Sequence, residues 1–173
     1  AIMFLAQDRE NVEEAFPGDI IGIHNHGTIR IGDSFTEKED LRFVGIPHFA
    51  PEHFRKVRID NALKAKQLEK GLQQLTEEGA VQLFRPLNRN DYLVGAVGIL
   101  QFDVILARLK NEYGVESHLE PANFLTARWV VTQDAEALKR FEKQFLDSLA
   151  RDSQENLVYL PATAWRLERT IED

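Results

Sequence analysis

The chain has 173 residues, 43% hydrophobic and 28% charged, enough to bury one large core or two small ones. Its formal net charge of −7 lacks the broad basic field that non-specific DNA or RNA binding needs, and leaves room only for a local basic patch. The absence of cysteine excludes disulfides, thiolate catalysis and Cys-ligated zinc. With no long apolar run and no leader-like N-terminus, the chain reads as soluble and cytoplasmic, with no membrane partner.

Residues 1–50 read as strands and turns. "PGDIIGIHNHGTIRIGDSF" (Pro17–Phe35) sets a Pro-Gly turn before an apolar run, then a His-Asn-His-Gly turn, the alternating "TIRI" and a Gly-Asp turn. So few strands cannot bury two faces, and the chain opens mid-pattern at "AIMFLAQD". This region is therefore expected to be the end of a β-barrel whose earlier strands precede Ala1. It is also the more acidic part, with four basic side chains (Arg9, Arg30, Lys38, Arg42) against nine acidic ones. The balance shifts near "GIPHFAPEHF" (Gly45–Phe54), which places a domain boundary at 50/51.

Residues 51–173 change pattern. "FRKVRID" alternates Val57 and Ile59 inward with Lys56 and Arg58 outward, as a half-buried strand does. "ALKAKQLEKGLQQLTEEG" repeats Ala65, Leu68, Leu72 and Leu75 at helical spacing and ends on Gly79, a candidate left-handed cap. "AVQLFRP" and "YLVGAVG" are strands. A second helix then carries Phe102, Ile105, Leu106, Leu109 and Tyr113 to Gly114, and "VESHLEP" is a fourth strand. The order β-α-β-β-α-β is the ferredoxin-like unit, two helices on one face of an antiparallel sheet. Beyond it "TARWVV", "DAEALKRFEKQFLDSL" (Leu138, Phe141, Phe145 and Leu149 aligned), "LVYL" and "TAWRLERTI" give a β-α-β-α extension. The fold class is α+β: barrel strands, then a ferredoxin-like domain with this extension.

The residues offer little chemistry. Gly95 and Gly98 stand between strand and helix, but no Gly-Lys pair occurs in the chain and the loop holds only Ala96, Val97, Ile99 and Leu100. Neither a nucleotide loop nor an acylphosphatase-like cradle is supported, and the glycines read as a close strand-to-helix joint. His24 and His26 lack the further ligands a metal needs and suit a turn; His48, His53 and His118 are scattered. An RNA-reading sheet would carry aromatics on its central strands, whereas the third strand offers Tyr92 alone. Lys56 and Arg58 face either Glu116 and Glu120 across the sheet, as ion pairs, or RNA. Lys64, Lys66 and Lys70 on the first helix form a solvated face or touch phosphate. Asp103 opens the second helix, favourably for the dipole. Glu77 and Glu78 close the first against it, held for a partner or merely exposed. No catalytic, cofactor-binding or metal site follows.

The segments "EEAFPGDIIGIHNHGTIRIGDSF", "FAPEHFRKVRI", "KGLQQLTEEGAVQLFRP" and "VGAVGILQFDVILARLKNEYGVE" resemble the peptide chain release factor 3 family, the class II bacterial release factors, which are translational GTPases. The resemblance covers nearly the whole chain and is strongest from Glu13 to Trp129. Elongation factor G and the tetracycline-resistance ribosomal protection proteins are similar in the Gly18-Asp19 and Gly32-Asp33 turns. "HNHGTI", "VGAVGILQFDV" and the C-terminal extension are more like the release factors. The resemblance implies the end of domain II followed by domain III, from a protein that binds GTP and magnesium in a G domain outside this chain. It implies promotion of class I release factor departure at translation termination, with ribosomal RNA and ribosomal protein as partners. Lys56, Arg58, Lys64, Lys66 and Lys70 are the candidate ribosome contacts. A stand-alone ferredoxin-like regulatory or small-molecule-binding module, or a small acylphosphatase-like enzyme, are the alternatives.

Overall fold

The computed structural model describes residues 14–24, 28–29, 32–37, 39–41, 43 and 49–172, with the backbone of residues 2–5 and 8–11. The chain divides into two compact units, Ala1–Phe43 and Val44–Asp173.

In the first unit, β1 (Ile2–Leu5) pairs antiparallel with β2 (Asp8–Asn11) and with β3 (Ile21–Gly22), giving the order β2-β1-β3. The Pro-Gly signal is a tight turn. Phe16 O accepts from Asp19 N at 3.0 Å, Asp19 Oδ2 accepts from Phe16 N at 2.8 Å, and Gly18 takes φ +100°, which a side chain would resist. Asn25, His26 and Gly27 of the His-Asn-His-Gly turn, and Arg30 and Ile31 of "TIRI", lie outside the described residues.

The second unit begins earlier than the composition shift suggests. Phe49 O accepts from Gln82 Nε2 at 2.8 Å and Glu52 N donates to Ala96 O at 3.1 Å, so residues 49–52 are already tied to this unit's strands. Its strands are β4 (His53–Ile59), β5 (Gln82–Pro86), β6 (Tyr92–Ala96), β7 (Ser117–Pro121), β8 (Arg128–Trp129), β9 (Leu149–Asp152) and β10 (Leu157–Tyr159). They form one antiparallel sheet of order β7-β4-β6-β5-β9-β10-β8. The first four are the ferredoxin-like set, with α1 (Ala65–Glu77) and α2 (Leu100–Tyr113) as its crossovers.

Both helices form where the apolar stride lies. Leu68, Leu72 and Leu75 of α1 and Phe102, Ile105 and Leu109 of α2 are buried against Val57, Leu83 and Val94. Gly79 (φ +74°) and Gly114 (φ +63°) take the left-handed conformation that ends each helix. Past Gly79, Ala80 N reaches back to Leu75 O at 2.9 Å.

The extension adds three strands beside β5. Leu149, aligned by spacing with the apolar stripe of the third helix, is instead the first residue of β9. Helix α3 (Ala135–Phe145) ends four residues earlier, a 3₁₀ turn intervenes, and Leu149 is extended at φ −108°, ψ 144°. The extension is thus β-α-β-β-α, closed by α4 (Ala164–Glu172). Alternation along the strands and the registers Leu83↔Val94 and Arg85↔Arg151 put Leu149, Leu157 and Tyr159 on the face that carries α1 and α2. There Leu138, Phe141 and Phe145 of α3 and Leu167 of α4 pack against them, half-buried.

Strands β7 and β8 lie at opposite edges, so the chain joining them must traverse the sheet. Residues 122–127 do this across the second face, where Ala122, Phe124 and Ala127 pack on Phe54, Phe84, Leu93, Ala150 and Val158. Among the described residues no helix is long and apolar enough to cross a membrane.

Candidate functional site

The part of the second face not covered by that crossing segment holds Lys56 and Arg58. Arg58 donates to Glu120 Oε2 at 2.9 Å and to Asp91 Oδ1 at 2.8 Å, and Lys56 lies 3.6 Å from Asp91. Those two hydrogen bonds, Glu120's first, hold the guanidinium charged more firmly than usual. The expected pair with Glu120 forms. Glu116 does not join it: β7 starts only at Ser117, and Glu116 turns to Lys110 at 3.0 Å. Asp91, from the turn before β6, is the partner that local spacing does not reveal. Tyr92 packs into the helix-side core rather than onto this face, and burial together with Glu69 raises its phenolic pKa.

The helix lysines separate into two kinds. Lys64 donates to Gly114 O, tying the start of α1 to the end of α2, where a cation also suits the dipole. Lys66 and Lys70 are exposed, one turn apart on α1, and form no salt bridge among the described residues. The five candidate contacts therefore do not form one surface. Lys56 and Arg58 are engaged on one face of the sheet, and α1 lies on the other.

Glu78 is held. Arg108 bridges Glu78 at 2.5 Å and Glu112 at 2.6 Å, joining the end of α1 to α2, while Glu77 accepts from Gln73 at 2.9 Å. The Arg108–Glu112 spacing of four was readable on a helix; the reach to Glu78 was not. Arg108 holds the Glu112 carboxyl below its ordinary value of 4.5. A depressed folded-state pKa contributes stability above the unfolded value and loses it as pH falls through the folded one. Glu112→Gln is thus expected to be less stable than the parent in urea at pH 7, with the difference shrinking as pH falls below 4.5. A constant difference across that range would contradict the pairing.

The glycine loop is occupied by its own chain. Gln101 Oε1 accepts from Val97 N and Gly98 N, both at 3.0 Å, so those backbone donors are not available to an anion, and no basic side chain stands in the loop. A Cβ on Gly95 would stand 2.8 Å from Pro51 and 2.9 Å from Phe84, the close packing expected of it. A Cβ on Gly98 would meet nothing within 4 Å, so the joint needs only the first glycine. Among the described residues no group of three or more His, Asp or Glu side chains could hold a metal.

Comparison with known proteins matches residues 43–171 to the family described as "Class II release factor RF3, C-terminal domain", and residues 1–38 to "Elongation factor G domain 2". A solved structure from Thermus thermophilus superposes with a TM-score of 0.54 at 21% identity. The superposition covers 76% of this chain and 20% of that one, so the present chain spans about a fifth of that protein's length. At this identity the likeness is one of fold.

Proposed function

The chain belongs to the family of class II release factor RF3 C-terminal domains, and on that premise we propose that it docks a termination factor on the ribosome. Both matched domains are non-catalytic parts of translational GTPases. The family match over 43–171 carries the reading, and the strand–glycine–helix loop, whose backbone donors at Val97 and Gly98 bond Gln101, is consistent with it.

In this reading GTP and magnesium are held by a G domain outside this chain. Hydrolysis there reorients a rigid arm, to which the present residues belong, and the arm's grip on ribosomal RNA and protein transmits the movement. The whole protein promotes departure of the class I release factor in the cytoplasm once the peptide is freed. The arm must resist bending, and a single seven-stranded sheet with helices on one face and the crossing segment on part of the other supplies that stiffness.

Among the candidate contacts, Lys66 and Lys70 carry the phosphate interaction. Arg58 would have to give up two carboxylates to reach a phosphate, and Lys64 would uncap α2. Co-sedimentation with 70S ribosomes over a salt series is the test. The chain is expected to pellet at low salt, and the double substitution Lys66→Ala, Lys70→Ala is expected to flatten the slope of log affinity against log salt by about 1–2. Failure of the unmodified chain to pellet at any salt concentration would refute docking, and an unchanged slope would remove the two lysines from it.

A further inference from the structure

We propose that the cleft between α3 and α4 is a second RNA contact, in which Trp165 stacks on an unpaired base while Arg166 and Arg169 meet the flanking phosphates. The partner class rests on the ribosome-docking reading; the residues are independent of those on α1.

Helix α4 is a fixed platform. Leu167 packs among Leu149, Leu157 and Tyr159, and the Tyr159 hydroxyl lies 3.0 Å from Thr170 Oγ1, which also donates to Arg166 O at 2.7 Å. The helix cannot rotate to hide its other side. That side presents Trp165, 62% exposed, beside a cleft of about 360 Å³ whose wall includes Phe145, Gln144 and Ser148. The Arg169 guanidinium lies 5.3 Å from the centre of the indole ring, so it preorients one face and leaves a stacking surface flanked by positive charge.

Charge argues for an anionic partner. Arg166 and Arg169 form no salt bridge among the described residues, and neither do Arg140 and Lys143 on α3. The acids of α3 are spoken for: Glu136 pairs with Lys139 at 3.1 Å and Glu142 with Arg151 at 3.4 Å. Asp147 lines the cleft but accepts from Asn88 at 2.6 Å, and Glu168 is an exposed acid on α4. Asp147 would repel a phosphate from its own side of the cleft, which directs the backbone toward the two arginines and the base toward Trp165. Arginines outside salt bridges beside an exposed aromatic ring are the pairing that single-stranded RNA uses.

The test is ribosome co-sedimentation of the full chain with Trp165→Ala, with Trp165→Phe and with the pair Arg166→Glu, Arg169→Glu, plus a photo-crosslinker in place of Gln144. Since these side chains lie outside the core, each variant is expected to keep the parent's circular dichroism and melting temperature. Trp165→Ala and the charge reversal should each weaken binding by about tenfold, Trp165→Phe should largely retain it, and the crosslink should fall on ribosomal RNA. If the parent pellets and the variants pellet equally well, the α4 assignment fails while docking stands. A crosslink to ribosomal protein alone also overturns it. If the parent never pellets, both readings fall together.

Discussion

Phe84→Ala is expected to lower the stability of the Val44–Asp173 unit by about 3–5 kcal/mol, the usual range for emptying a fully buried aromatic site. Phe84 is fully buried, and its ring centroid lies 6.0 Å from that of Phe54 on β4 and 6.4 Å from that of Trp129 on β8. It therefore touches the ferredoxin-like strands, the extension and, through Phe54 and Phe124, the crossing segment. Strand β5, which carries it, is also the one strand through which the two halves of the sheet pair, at Phe84↔Asp152, Arg85↔Arg151 and Pro86↔Ala150.

Because one cluster serves both halves, the loss should be shared. Guanidinium unfolding followed by circular dichroism reports all the helices, while fluorescence reports Trp129 and Trp165, both in the extension. In the parent and in Phe84→Ala the two signals should give one coincident transition, displaced in the variant. A fluorescence transition that separates from the helical one would mean that the extension is an appendage rather than part of the arm. The stiffness invoked for ribosome docking would then have to come from elsewhere.

Much of this arrangement was legible before any coordinates. Apolar residues at three and four drew α1 and α2, alternation drew β4, and the two terminal glycines marked both helix ends, since each of these signals is local. Strand β9 was hidden because Leu149 happens to continue the stride of α3, and only the 3₁₀ turn at 146–148 breaks the phase. The crossing segment "ANFLTA" has no period at all. Its path follows from β7 and β8 occupying opposite edges, a fact of topology rather than of spacing. The same holds for the candidate contacts. That Lys56 and Arg58 point outward was readable, but that Asp91 would claim both required β4 and β6 to be neighbours. Trp165 was readable as part of a short helix; that it lies on the exposed side depends on where Tyr159 anchors Thr170.

The joint at the start of α2 makes the sharpest contrast between two residues of the same type. Gly95→Ala is expected to destabilise the unit by about 1–3 kcal/mol, the cost of overpacking a filled site. The new methyl would stand 2.8 Å from both Cβ and Cγ of Pro51 and 2.9 Å from the Phe84 ring, and none of these is the loose end of a flexible chain. Pro51 is fixed by its own ring and Phe84 by the packing just described, so the strain must be met by displacing β6 against its neighbours. Gly98→Ala should change stability by no more than about 0.5 kcal/mol, because its methyl would meet open space and the backbone there needs no positive φ. The two variants also discriminate between scaffold and site. If the Gly-x-x-Gly loop held a phosphate, closeness of the backbone at either glycine would matter to binding, and Gly98→Ala would impair function with stability untouched. If it is a packing joint, function should follow stability: impaired for Gly95→Ala in proportion to its unfolding, and unaltered for Gly98→Ala in the ribosome assay. Loss of ribosome binding by a fully folded Gly98→Ala chain would overturn the scaffold reading, and with it the argument that the chemistry lies in another part of the protein.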